Sequence, residues 1–440
     1  MAAVSLRSPH DREIVRLAVP AFGALIAEPI YLLTDTAVVG HLGTPQLGGL
    51  AVANTVLLGL YTVFIFLAYG TTAAVSRLIG AGDEAEAAHQ AVQSMWLAVM
   101  IGGALTVLGF LLAQPAMDLL GASGEVRTNA LVYLRISLVG VPAMLAVLAG
   151  TGYVRGLQDT RTPLVIAAGT AALNLVVEVV LIYGFDQGIG ASAVATVLAQ
   201  TVAALIYVRQ LGRAALARGV ELRPHPASLG SLVRVARDLL IRTVALRAAL
   251  AAATAVAARM GAVDLASYQV GFEIWTFLAF ALDAIAIAGQ AMVGRALGAA
   301  DGAAARDAGR RMIEWGVAFG VLYGMLVLAG RAGLPHLFTN DPEVVALTGF
   351  VLLWVALLQP VNGVAFVLDG VLIGAGDQRF LAWAMAGAAL VFIPAATAVL
   401  LLDLGIGWLW AALGLLMITR AATLLARFTG DHWVVLGARR

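Results

Sequence analysis

Twelve apolar runs, each long enough to cross a bilayer, constrain this chain more than any other feature. They fall at about 14–38, 48–76, 91–112, 130–152, 163–184 and 189–209. After a polar interval they resume at 239–259, 266–293, 312–330, 347–371, 380–402 and 406–426. A helical crossing takes about 20 residues, and within lipid only helices and closed barrels satisfy every backbone polar group. The runs therefore predict an all-α polytopic membrane protein with twelve transmembrane helices. Composition agrees: 61% of the 440 residues are hydrophobic and 12% charged, with a mean hydropathy of +0.93, which excludes a soluble globular domain. There is no cysteine, hence no disulfide or thiolate metal site. Every basic residue is arginine, so a P-loop, which needs its lysine, is excluded. A net charge of +1 gives no reason to expect nucleic acid as a partner.

The chain repeats itself. Arg77-Leu-Ile-Gly-Ala-Gly-Asp83 returns as Arg295-Ala-Leu-Gly-Ala-Ala-Asp301, an offset of 218 residues. The same offset carries Glu125-Val126 onto Glu343-Val344 and Pro142 onto Pro360. It also carries Gly152, Gly156, Asp159 and Arg161 onto Gly370, Gly374, Asp377 and Arg379. Each unit holds six spans, an even number, so the repeat is parallel, about an axis along the membrane normal. The expected domains are 1–215 and 216–440, two pseudo-symmetric six-helix bundles with a V-shaped cleft between them. The Gly-x-x-x-Gly pairs at 152/156 and 370/374 fit close helix packing. Asp159 and Asp377, each two residues before an arginine, read as caps or local ion pairs, with gating as the alternative.

Arginine placement predicts orientation. Twenty-one of the 27 arginines fall on one side of the membrane. They occupy the N-terminal segment (Arg7, Arg12, Arg16), the even-numbered connections (including Arg77, Arg155 and Arg242) and the tail (Arg427, Arg439, Arg440). Only Arg127, Arg259 and Arg331 lie on the other side. By the positive-inside rule both termini are cytoplasmic, which suits an inner (plasma) membrane protein. The polar segment from Ser5 to Arg16 runs into a full-length span, longer than a signal-peptide core of about 7–15 residues, so the first helix is expected to be retained.

Apart from Glu314 at the very start of its run, six carboxylates lie within the spans: Glu28, Asp35, Glu178, Glu273, Asp283 and Asp369. An ionisable group at such depth costs roughly 2.5–3.5 kcal/mol and usually faces a protein-lined cavity where it functions. Glu28, Tyr31 and Asp35 are spaced i, i+3, i+7 and share one helix face, and Asn174 and Glu178 share another. Desolvated carboxylates sharing a cavity favour retaining a proton, which makes Asp35 and Glu178 a candidate proton-loading site. A Na+ site of carboxylate, amide and hydroxyl oxygens is the competing use of the same groups. Glu273, Asp283 and Asp369 either line a second cavity or bond across helices. No histidine lies within a span except at its ends, and no H-E-x-x-H, G-x-S-x-G or Asp-rich metal motif occurs in the spans, so no enzyme, metal or cofactor is expected.

Three stretches give the chain a resemblance to the multidrug and toxic compound extrusion (MATE) family, within its DinF-like branch. They are Pro20…Glu28-Pro29…Asp35-Thr-Ala-Val-Val-Gly-His-Leu-Gly43, Asp283-Ala-Ile-Ala-Ile-Ala-Gly-Gln290 and Leu368-Asp-Gly-Val-Leu-Ile-Gly-Ala-Gly-Asp377. The resemblance implies two six-helix lobes and H+- or Na+-driven export of amphipathic, often cationic compounds. It implies an N-lobe coupling site of Asp35 with Tyr31, Tyr133, Asn174, Glu178 and Thr196, and a bend of the first helix at Pro20. Two departures stand out. The position of Glu178 carries Asp in well-known relatives, and the seventh helix has no acid, which shifts weight to the N-lobe.

The function expected is therefore antiport of drugs against H+ by a monomer in the bilayer, with proton and substrate competing for one site. Na+ coupling and a flippase for lipid-linked precursors are the alternatives. A major-facilitator carrier lacks its D-R-x-G-R pattern in residues 77–83, and buried carboxylates argue against a non-transporting scaffold.

Overall fold

In a computed structural model, residues 8–185 and 187–438 are described; Arg7, Arg439 and Arg440 of the arginine pattern lie outside them. The described residues contain helices and no strand. The first half comprises α1 (Pro9–Gly40), α2 (Thr44–Phe64), α3 (Phe66–Gly80), α4 (Glu84–Leu119), α5 (Gly124–Gly156), α6 (Arg161–Val179) and α7 (Ile189–Ala217). The second half comprises α8 (Pro226–Met260), α9 (Ala262–Gly298), α10 (Gly302–Gly330), α11 (Pro342–Gly374), α12 (Gln378–Leu401) and α13 (Ile406–Thr429). Since α2 and α3 form one span, Thr44–Gly80, the described residues form twelve helices long and apolar enough to cross a membrane. Side chains such as Leu33, Val107, Leu111, Leu390 and Trp383 are left outward and exposed. So large an apolar surface is stable only against lipid.

The helices outrun the apolar runs because polar caps, not hydropathy, end them. Asp83 accepts a hydrogen bond from the Glu86 N–H at 2.9 Å, starting α4 well before the run at 91. Its repeat partner Asp301 accepts from the Ala304 N–H at 2.8 Å and starts α10. Asp159 accepts from the N–H groups of Arg161 and Thr162 at 3.0 Å each, and so caps α6. A side-chain oxygen at such a position satisfies a donor that has no partner within the helix. The turn before each cap needs a left-handed residue, and the repeat supplies it at equivalent places. Gly82 (φ 77°) corresponds to Ala300 (φ 59°), and Gln158 (φ 62°) to Gly376 (φ 76°).

Longer helices also move three arginines. Arg77 lies in the last turn of α3, Arg155 in the last turn of α5 and Arg242 inside α8, all largely buried rather than in open connections.

The chain forms two compact units. Gly23–Ala236 is one; the described residues of Met1–Phe22 with Arg237–Arg440 are the other. The division falls within α1 and within α8. In the first unit α5 is central, packed on α2, α3, α4 and α7. Gly152 lets it approach α3 so closely that a Cβ there would meet the Ala68 carbonyl oxygen. In the second unit α11 holds the same place beside α9, α10 and α13, and a Cβ on Gly370 would meet the Ala286 carbonyl oxygen. Ala68 and Ala286 are themselves 218 apart, so the repeat preserves the helix crossing as well as the motif.

Candidate functional site

The first unit places two acids face to face. Asp35 on α1 and Glu178 on α6 are 1% and 0% exposed, and their carboxyl groups lie within hydrogen-bonding reach of each other. The Ser192 hydroxyl, on α7, donates to Asp35 Oδ1 at 2.5 Å. The Tyr133 hydroxyl of α5 also lies against Asp35. Beyond these, no donor among the described residues reaches Asp35 Oδ2 or either oxygen of Glu178. Neither acid has an arginine partner among them. Two charged carboxylates in so dry a place repel and leave acceptors unsatisfied. One proton between them answers both difficulties, because it donates from one acid to an oxygen of the other. A donor set of two hydroxyls, Ser192 and Tyr133, suits a shared proton better than a permanent pair of anions.

Above the pair lies a cavity of about 280 Å³, within the first unit. One side of its wall carries Glu28, Tyr31, Tyr133, Asn174 and Thr196; Tyr61, Tyr69, Arg155 and Gln200 also line it, between alanine and leucine side chains. Tyr31 Oη and Thr196 Oγ1 are 2.7 Å apart, and the Asn174 amide donates to the same Thr196 oxygen at 3.3 Å. Glu28 faces the Tyr61 hydroxyl from α2 rather than the acid pair. Asp35 and Glu178 themselves are not on the wall; the Tyr31–Thr196–Asn174 layer stands between. This corrects the expectation of a single shared site: cavity and acid pair are adjacent layers. The sequence reading missed Ser192, which sits four residues before Thr196 on the same face of α7. It also missed Tyr61. After Glu178, α6 passes into a π-helical turn, Val180–Gly184, a wider winding often found at functional sites.

Pro20 and Pro29, where bending is expected, both lie within α1, which is continuous through them in this structure.

The second unit treats its acids differently. Asp369 on α11 accepts hydrogen bonds from Arg242 of α8 and, at 2.6 Å, from Arg420 of α13. Of the two readings left open for Asp369, bonding across helices is the one observed. Asp283 on α9 faces Arg420 electrostatically and joins this cluster. Glu273 does not: its side chain is exposed. Arg242 and Arg420 escaped the sequence reading, one assigned to the linker and the other uncounted within the last span. Their spacing from acids on distant helices gives no local signal.

A chain of twelve spans built on a repeat, with a buried acid pair beside a cavity in one half, fits the class of membrane transporters. The sequence profile of the MatE family matches residues 20–180 and 243–397, one stretch in each half, and the chain belongs to that family. It is 30% identical over 438 residues to DNA damage-inducible protein F of Escherichia coli K12, covering 98% of this chain and 95% of that one. It is 25% identical to a probable multidrug resistance protein NorM of Thermotoga maritima, over 83% of this chain and 80% of that one. Among solved structures, the Vibrio cholerae MATE transporter VcmN in its bent form superposes with a TM-score of 0.87 at 20% identity. That match covers 95% of this chain and 96% of that one.

Proposed function

We propose that this protein is a multidrug exporter of the inner membrane. In this reading it works as a monomer with both termini cytoplasmic, exchanging amphipathic, cationic compounds for protons by alternating access. The observation that carries the proposal is the Asp35–Glu178 pair, buried, mutually in reach and without an arginine. The relatives named for drug resistance support the substrate class. Glu28 and the tyrosines of the cavity hold the substrate; the pair beneath holds the proton.

When the pair is negative, its field through one layer of side chains favours a cation above it. A proton arriving on the pair removes that attraction and the need of Asp35 for its polar neighbours. α1 is then free to shift about Pro20, where the backbone lacks a donor. Linkage requires the reverse as well: bound cation must weaken proton binding. Substrate Kd is therefore expected to rise as pH falls.

The test is efflux of ethidium from proteoliposomes under a pH gradient or a Na+ gradient, each imposed alone. Efflux driven by the pH gradient supports the reading. A strict Na+ requirement overturns proton coupling, and silence under both overturns export.

A further inference from the structure

The cavity of the first unit holds a second charge that export of simple cations does not use. Arg155 lines it from the last turn of α5 and is 8% exposed. Its Nε is buried, with no acceptor in hydrogen-bond distance among the described residues, and the guanidinium joins no ion pair among them. Arginine cannot shed its proton, so this is a permanent positive charge in a low-dielectric wall. Leaving such a group unpaired costs several kcal/mol.

The nearby groups are committed elsewhere. Asp159, in the turn that follows α5, is the nearest acid along the chain. Both of its oxygens are taken instead by the α6 cap, Oδ1 by the Arg161 and Thr162 N–H groups and Oδ2 by the Thr162 hydroxyl at 2.5 Å. Tyr207, which the guanidinium faces, accepts from the Thr151 hydroxyl at 3.1 Å. Tyr61, also facing it, lies against Glu28. The repeat offers no equivalent, since the position 218 residues on is Ile373. There Asp377 receives the Arg427 guanidinium at 2.7 Å, so in that half the turn acid is an ion-pair partner rather than a cap.

We infer that Arg155 is the anion subsite of this cavity, and that the preferred cargo is an amphipathic compound carrying a carboxylate or similar anionic group beside its cation. An anionic group entering from solution completes the arginine's fork with two charge-assisted hydrogen bonds. Its cationic end then meets Glu28 across the same apolar chamber. This assignment rests on the export reading above.

Rhodamine B, which carries a free carboxylate, and its methyl ester, which does not, separate the two. Kd is measured by fluorescence anisotropy on the full chain in maltoside micelles at pH 7.5. Wild type is expected to bind the acid about ten-fold more tightly than the ester, the scale of a hydrogen bond to a charged group. Arg155→Gln should erase that preference, and its elution as a single species like wild type checks that the variant folded. Arg155→Lys should keep part of it. Equal binding of acid and ester by wild type overturns the subsite, even if Arg155→Gln fails to fold. In that case pH-driven efflux of the ester leaves export standing; if neither dye binds, both readings fall. Phosphatidylglycerol that displaces the acid but not the ester overturns the cargo assignment and gives the anion to a lipid headgroup.

Discussion

The two halves share a backbone plan and treat their buried acids in opposite ways. In the first, Asp35 and Glu178 face each other with only the hydroxyls of Ser192 and Tyr133 beside them. In the second, Asp369 lies between the guanidinium groups of Arg242 and Arg420. An acid held between two arginines has its charge balanced within the helix packing and offers little attraction to a travelling cation. An acid beside another acid has to gain or share a proton. In the proposed reading the duplication separated two roles, one half keeping an exchangeable charge and the other sealing its charge inside the helix packing.

The largest effect is expected for Asp35→Asn. It should reduce pH-driven efflux in proteoliposomes to that of empty vesicles, while the protein elutes as a single species like wild type. Retained efflux would erase the contrast between the halves. Asp369→Asn should do the reverse. It removes the carboxylate that Arg242 and Arg420 share, a loss expected to cost about 3–5 kcal/mol and to lower the midpoint of thermal unfolding in detergent. Efflux per folded molecule should persist. Loss of coupling without loss of stability would show that the second half also carries exchangeable charge.

Where the halves agree, paired substitutions should agree too. Gly152→Ala and Gly370→Ala each push a methyl group into a facing backbone carbonyl and should each cost about 1–3 kcal/mol of stability. A tolerated change at one position alone would mean that the crossings are not equivalent. The smallest effect concerns the left-handed turns. Ala300→Gly should gain, and Gly82→Ala lose, up to about 1 kcal/mol, because glycine adopts positive φ without steric cost. Thermal shifts of the same sign would break that symmetry.

Much of this was legible in the residues. The twelve spans follow from apolar length, and the shared turns and crossings follow from the 218-residue offset. Asp35, Tyr31, Asn174 and Glu178 could be placed on helix faces by spacing alone. Ser192, Arg242 and Arg420 could not, because each matters through a partner on another helix at long sequence separation. Arg155 was misplaced for a different reason. The apolar run ends before it, while the helix continues through Gly156 into a turn whose acid caps the next helix.

The π-helical turn after Glu178 has a consequence for how such chains vary in length. The phase of α6 is set from its start, where Asp159 fixes the first turn. Inserting one residue between 161 and 177 would rotate Glu178 by about 100°, since 3.6 residues make a turn, and carry it away from Asp35. The wide turn at 180–184 lies beyond the acid. A residue gained or lost there changes only the winding of the chain toward α7 and leaves Glu178 facing Asp35.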